Sequence, residues 1–193
     1  MYFGVDYYPE HWDKSEWGAH IKLMKKANFN IVRIAEFAWG RLEPREDEFD
    51  FLWLDEIMEK LHEAGIKVIL GTPTAAPPKW LVNKYDVLMR DRYGRKRGYG
   101  ARRECCPNSP DYRRRADIIT EKMAERYGKH PAVAAWQIDN EFGCHASTRC
   151  YCENCRREFA SALSKKYGSI GELNRRWGTV FWSQEYEDFD DVI

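Results

Sequence analysis

The segment WLDEIMEKLHEAGIKVILGTPT, residues 53–74, contains one complete helix-to-strand repeat and decides the fold class. Four apolar residues recur at the three- and four-residue spacing of one helix face: Leu54, Ile57, Leu61 and Ala64. Gly65 follows them, and glycine ends helices readily because it adopts the left-handed backbone conformation. Residues 66–70, IKVIL, then form a short apolar run of the kind found in strands that are buried in a parallel sheet.

The same alternation of strand and helix continues in both directions along the chain. Apolar runs predict four strands, at residues 2–5, 31–34, 66–70 and 133–138. Apolar spacing predicts five helices, at residues 15–28, between Asp50 and Gly65, and at 111–127, 153–167 and 170–177. This alternation predicts an α/β protein, either a doubly wound sheet or a (β/α) barrel. No glycine-rich phosphate-binding motif follows any strand, which excludes the main nucleotide-binding signatures.

Composition narrows the class of protein further. The chain has 193 residues, of which 44% are hydrophobic and 15% aromatic, so it can form a core and is not intrinsically disordered. Thirty-one basic and 31 acidic residues cancel, so there is no overall attraction to nucleic acid or to acidic membranes. No apolar run approaches the ~20 residues that a membrane span needs. The first residues do not resemble a signal peptide, and we therefore expect a cytoplasmic protein.

Polar and aromatic residues follow each predicted strand, and the sharpest group is WQIDNEFG at residues 136–143. In a barrel these positions lie at the carboxyl ends of the strands, where active sites are built. We expect Glu141 to be desolvated at the exit of a buried strand, which keeps a carboxyl protonated as a general acid requires. The alternative is that Asp139 and Glu141 cap the next loop or pair with nearby arginines, and spacing alone does not decide between the two.

Five ordered blocks of sequence resemble glycoside hydrolase family 42. They are GVDYYPEHW at 4–12, VRIAEFAW at 32–39, TPTAAPPKWL at 72–81, QIDNEFG at 137–143 and WGTVFWS at 177–183. The resemblance implies a (β/α)8 TIM-type barrel and a retaining β-galactosidase that cleaves terminal β-D-galactosides. It assigns Glu141 as general acid/base, Asn140 and Arg102 as substrate-binding residues and Trp182 as a wall of the sugar pocket. Alternatively, Arg102 is a solvated charge in the basic run 90–103, and Trp182 is an ordinary core residue.

The chain departs from this family in one respect. Retaining hydrolysis needs two carboxylates about 5–5.5 Å apart, one as acid/base and one as nucleophile. The resemblance places the nucleophile, a second glutamate, at the end of the seventh strand, whereas this chain has only about four strand–helix units. We therefore expect residues 1–193 to be the N-terminal part of the catalytic barrel, to lack the nucleophile and to be inactive alone.

The six cysteines all lie in the second half of the chain, and four of them predict a structural zinc site. Cys106, Cys150, Cys152 and Cys155 supply four thiolates with tight local spacing, which suits tetrahedral Zn²⁺. The resemblance implies the same four ligands, in a cysteine-rich region spanning residues 105–155. Four protein ligands leave no open position, so this zinc would not be catalytic. The alternative is a set of free thiols. Cys144 is expected to be a small packed thiol, and Cys105 is a competitor of Cys106.

Two other functions are compatible with these features. The missing nucleophile also suits a half-barrel that binds galactosides without hydrolysing them. The cysteines and the basic run 90–103 suit a zinc-organised module that binds nucleic acid or protein, although the neutral net charge argues against it. We favour the enzyme, with a β-galactoside as substrate and with neither nucleic acid nor a membrane as partner. The family resemblance implies a homo-oligomer, such as a trimer, for the complete enzyme.

Overall fold

A computed structural model describes residues 1–192 as a four-stranded parallel sheet flanked by helices. The strands are β1 (Gly4–Asp6), β2 (Ile31–Ile34), β3 (Lys67–Gly71) and β4 (Val133–Gln137). They lie side by side in chain order, β1-β2-β3-β4. A doubly wound sheet reverses its strand order at a switch point, and this sheet does not. The order is that of consecutive units in a (β/α) barrel.

Seven α-helices connect and follow the strands. They are α1 (Trp17–Lys26), α2 (Trp39–Leu42), α3 (Leu52–Glu63), α4 (Lys79–Lys84), α5 (Pro110–Tyr127), α6 (Glu153–Tyr167) and α7 (Ile170–Trp177). Five were predicted, and α6 and α7 have the predicted bounds. Helix α1 is shorter than predicted, because a 3₁₀ turn at Lys14–Glu16 precedes it and the chain leaves the helix after Lys26. Helices α2 and α4 were missed, since four and six residues are too few to show helical spacing.

The core lies between the sheet and the helices that cover one of its faces. The predicted face of α3 is buried there through Leu54, Ile57 and Leu61, and Gly65 has the expected positive φ of 69°. The sheet contributes fully buried side chains from β2 and β3: Val32, Ile34, Val68 and Leu70. Ala27 is exposed, because it lies just beyond the end of α1.

The outer strands are less buried than the sequence predicted. Apolar runs suggested that both faces of every strand are covered, but this expectation is wrong for β1 and β4. Val5, Ala134 and Ala135 are exposed, because β1 and β4 each have only one neighbouring strand within the described sheet. No helix in residues 1–192 is long and apolar enough to cross a membrane.

Candidate active site at the carboxyl ends of the strands

The segment after β4 folds back sharply at the carboxyl end of the sheet. Asp139 and Glu141 both have positive φ angles, 58° and 45°. The backbone N–H of Asp139 donates to the hydroxyl of Thr72, which follows β3, at 2.7 Å. The Asp139 carboxylate pairs with Arg103 at 2.5 Å. These contacts attach the residues that precede Glu141 to the segment between β3 and α5.

Glu141 is paired with an arginine and is open to solvent. Its Oε2 lies 3.1 Å from Nη1 of Arg102, and its side chain is 51% exposed. The desolvation expected from the sequence is therefore absent, because β4 is an outer strand of the described sheet and nothing in residues 1–192 covers this side chain. The pairing with an arginine agrees with the alternative interpretation of this segment. It also places a cation beside the carboxylate in a position open to a ligand.

Asn140 is held in place by its neighbour on β4. Its side chain is 5% exposed, and Gln137 Nε2 donates to its Oδ1 at 2.9 Å. Its Nδ2 is buried and has no hydrogen-bond partner among the described residues. A buried donor without a partner is costly, and such groups often belong to binding sites. Asn140 therefore has one unused amide donor beside Glu141.

Arg102 is built into the site and is not a free charge. Its guanidinium lies 5.3 Å from the ring centroid of Phe37, which follows β2, and this ring stacks on Tyr8 at 6.0 Å. Its Nη2 lies 3.3 Å from Nε2 of His145. Arg102 thus contacts the loops after β2 and β4, and Phe37 contacts the loop after β1.

Four of the other six basic residues in the run 90–103 are paired with acids. The pairs are Arg90–Asp86 at 2.9 Å, Arg95–Asp91 at 2.8 Å, Lys96–Asp86 at 2.9 Å and Arg103–Asp139 at 2.5 Å. Cations that already have carboxylate partners are poorly placed to bind phosphates. The geometry therefore gives little support to a nucleic-acid surface here.

Trp182 is exposed among the described residues and is not part of their core. It lies in the turn Phe181–Ser183, is 79% exposed and stacks on Phe181 with ring centroids 4.8 Å apart. Within the described residues it makes no hydrogen bond to Arg102, Asn140 or Glu141. An exposed aromatic face of this kind is available to a ligand.

A charged network around the buried Glu36, at the ends of β1 and β2, was not predicted. Arg33 in β2 pairs with Asp6 of β1 at 2.7 Å and with Glu36 at 2.9 Å, and the Tyr8 hydroxyl donates to Glu36 at 3.0 Å. Glu36 is fully buried, and its Oε2 has no partner among the described residues. Burial, and then the Glu36 charge, raise the pKa of Tyr8. The only sequence signal was Arg33 within an otherwise apolar strand.

Four cysteine sulfurs lie together, as the zinc prediction requires. Sγ of Cys106 is 3.4 Å from that of Cys152 and 3.3 Å from that of Cys155, and the four sulfurs, including Cys150, lie within 4.8 Å of one another. A tetrahedron with Zn–S bonds of about 2.3 Å has S–S edges of about 3.8 Å, so the four sulfurs fit zinc closely. None of the six cysteines forms a disulfide in the described chain. Cys105 is buried in the main core and lies outside this group.

Some contacts around these sulfurs suit metal-bound thiolates, whereas burial raises the pKa of the free Cys106 thiol. Backbone N–H groups of Arg90 and Asn108 donate to Cys150 and Cys106, both at 3.4 Å. Cys152 lies at the N-terminus of α6, where the helix dipole stabilises negative charge. The cluster joins the segment after β3 to the segment after β4.

Comparison with known proteins adds independent information. The β-galactosidase model of glycoside hydrolase family 42 matches residues 6–193. A β-galactosidase of Haloferax lucentense is 48% identical over 193 residues, which cover 100% of this chain and 29% of that protein. One from Thermus thermophilus is 50% identical over 190 residues, which cover 98% of this chain and 30% of that protein.

A solved structure shows the same fold. The crystal structure of β-galactosidase from the psychrophilic Marinomonas ef1 matches with a TM-score of 0.95 at 48% identity, over 100% of this chain and 29% of that chain. The chain thus spans about 29% of the length of these relatives. The chain belongs to glycoside hydrolase family 42, the β-galactosidase family, and its four strand–helix units are part of a (β/α) barrel.

Proposed function

We propose that this chain supplies the acid/base side of a retaining β-galactosidase active site, with Glu141 as general acid/base. The observation that carries the proposal is the position of Glu141 at the end of β4, 3.1 Å from Arg102 and next to the buried amide of Asn140. The relatives that match the chain are named β-galactosidases. The exposed carboxyl of Glu141 is accessible to the oxygen of a glycosidic bond.

The neighbouring residues suit a β-galactoside. The unused Nδ2 of Asn140 and the guanidinium of Arg102 are donors for sugar hydroxyls. The exposed ring of Trp182 offers an apolar wall for the C–H face of the sugar. Phe37, under Arg102, keeps the guanidinium in place while its N–H groups change partners.

The contact between Arg102 and Glu141 suggests how Glu141 changes its protonation state between the two steps of retaining hydrolysis. As general acid, Glu141 must carry a proton and donate it to the leaving oxygen. As general base in the second step, it must be ionised and accept a proton from water. Arg102 stabilises the ionised carboxylate. We therefore expect the substrate to draw Arg102 away to a sugar hydroxyl in the first step, and Arg102 to return for the second.

The nucleophile is assigned to no residue of this chain. Glu10, Glu36 and Asp6 lie at the same end of the sheet, but Asp6 and Glu36 are used by the Arg33 network and none of the three carries the family's nucleophile motif. We propose that a glutamate from the part of the relatives that this chain does not span completes the site. The chain alone is then inactive, and the complete enzyme, which the family resemblance suggests is a homo-oligomer such as a trimer, is active.

We also propose a structural zinc ion on Cys106, Cys150, Cys152 and Cys155. This proposal rests on the four sulfurs, which come from two distant segments and lie within 4.8 Å of one another. Four protein ligands leave no position for water, so the ion would hold the segment between β4 and α6 in place and take no part in the chemistry.

A chimaera tests the catalytic proposal. This chain, joined to the remainder of the Haloferax lucentense relative, is expected to cleave a chromogenic β-galactoside. Glu141→Gln in the chimaera is expected to lower kcat by about 10²–10⁴-fold, the contribution typical of a general acid/base. Glu158→Gln, on the exposed side of α6, is the matched control and should leave kcat unchanged. An unchanged kcat for Glu141→Gln contradicts the assignment.

A second candidate function is a sugar-binding module, because no nucleophile is assigned to a residue of this chain. Calorimetry of this chain with galactose separates the two functions. Heat of binding at millimolar galactose, together with an inactive chimaera, favours the binding module. Activity of the chimaera excludes it.

A further inference from the structure

The loop after β4 brings three metal-ligating side chains together outside the four-cysteine cluster. Sγ of Cys144 lies 3.5 Å from Oε2 of Glu141 and 2.7 Å from Nδ1 of His145. The three ligand atoms all lie within 4.8 Å of one another. Glu141 and His145 are exposed and Cys144 is half-buried, so an ion can reach them from solvent.

The backbone of this loop creates the cluster. The N–H of Cys144 donates to the carbonyl of Glu141 at 3.1 Å, which closes a tight turn. His145 then has a φ of 54°, which directs its side chain back across the turn. As a result, two residues that are adjacent in sequence both contact the functional groups around Glu141.

We propose that Glu141, Cys144 and His145 form a second metal site, which binds Zn²⁺ or a similar borderline divalent ion. One sulfur, one imidazole nitrogen and one carboxylate oxygen are the donors that such ions prefer. Three protein ligands leave a fourth position for water, in contrast to the closed four-cysteine site. A consequence, which rests on the proposed function, is that the ion captures the acid/base carboxylate and inhibits the enzyme.

Arg102 is the group that the ion would replace. Because an arginine only donates, its contact at 3.3 Å requires that Nε2 of His145 accepts, which places the imidazole hydrogen on Nδ1, toward Cys144. Coordination through Nδ1 moves that hydrogen to Nε2, where it faces Arg102, and Cys144 loses its thiol proton to solvent. The ion therefore takes over from Arg102 as the cation beside Glu141.

Metal stoichiometry of this chain tests the proposal. The chain is titrated with Co²⁺, followed by its thiolate charge-transfer absorption, in a buffer with a phosphine reductant in place of thiols. Cys144→Ala and His145→Ala are each expected to bind one ion fewer than the unsubstituted chain. His62→Ala, an exposed histidine outside both clusters, is the matched control and should bind the full number. Equal uptake by all four proteins overturns the proposal.

Two further measurements keep the result interpretable. Cys150→Ser is expected to lose the ion of the four-cysteine site and to keep the ion bound by Glu141, Cys144 and His145. This result would show that the two sites are separate. If a variant fails to fold by circular dichroism, alkylation of Cys144 in the unsubstituted chain gives the answer. Zn²⁺ beyond one equivalent should slow alkylation at Cys144, mapped by peptide mass spectrometry, and equal rates with and without this Zn²⁺ overturn the proposal. None of these readouts depends on activity, so an inactive chimaera would not affect them.

Discussion

Replacing Arg115 with Met leaves a buried carboxylate without its cation. Arg115 lies on α5, is almost fully buried, and forms an ion pair with Glu43 and a second contact to Asp47 at 2.9 Å. Glu43 is fully buried and also accepts from Trp39 Nε1 at 2.8 Å and from the backbone N–H of Asp47 at 3.0 Å. The pair joins α5 to the end of α2, and the segment between β2 and α2 carries Phe37 at the carboxyl end of the sheet.

The magnitude follows from the contacts that remain. In Arg115→Met, Glu43 keeps two neutral donors but loses the charge that balances it. Breaking a buried ion pair on one side costs about 3–5 kcal/mol, against a typical domain stability of about 5–15 kcal/mol. Glu43→Gln on the Arg115→Met background removes the buried charge. It should restore more than half of the loss, since replacing both partners of a buried pair is often nearly neutral.

Urea unfolding, followed by tryptophan fluorescence and circular dichroism, gives the free energies of unfolding of the two single variants and the double variant. The control is Arg45→Met, which removes an exposed pair with Glu48 and should change the free energy of unfolding by less than about 1 kcal/mol. A loss below about 1 kcal/mol for Arg115→Met, or no recovery in the double variant, refutes the reasoning.

Three other changes have definite expected outcomes. Burial raises the pKa of Glu10, so its ionised carboxylate destabilises the fold above the unfolded pKa of about 4.3. Glu10→Gln should therefore raise Tm at pH 7 and leave Tm unchanged near pH 4, and equal effects at both pH values contradict this. A Cβ at Gly71 would lie 2.5 Å from Cβ of Glu36, so Gly71→Ala should lower the free energy of unfolding in urea by about 1–3 kcal/mol. An unchanged urea midpoint would show that the ends of β2 and β3 move apart without cost. If zinc binds the four cysteines, a chelator should lower Tm by several degrees and have no further effect on Cys106→Ser, whereas equal Tm values with and without the chelator speak against the ion.

Elements with a local sequence signal were predicted well. Helices α6 and α7 have the expected bounds because their apolar spacing and their capping residues both lie within the segment. Strand β2 matches residue for residue, since an apolar run between turns fixes it. The failures have physical causes: α2 is one turn long, and the exposure of β4 depends on what lies beside it in the sheet.

The candidate site was likewise predicted only in part from the sequence. Residue type and spacing singled out Glu141, Asn140 and the group Cys150, Cys152 and Cys155 as candidates. They did not show that Glu141 is half exposed, nor that Arg102 lies against it.

The sequence by itself determined the alternation of strands and helices, the buried face of α3 and the family, because these depend on short-range spacing and on residue identity. Only the tertiary structure decided which charges meet: Arg102 with Glu141, Arg33 with Asp6 and Glu36, and Cys144 with His145 around one carboxylate. Two of these pairs, Arg102 with Glu141 and Arg33 with Asp6, join residues that are distant in sequence. They meet because parallel strands in register bring their carboxyl ends to one edge of the sheet, and that register depends on packing across the whole core.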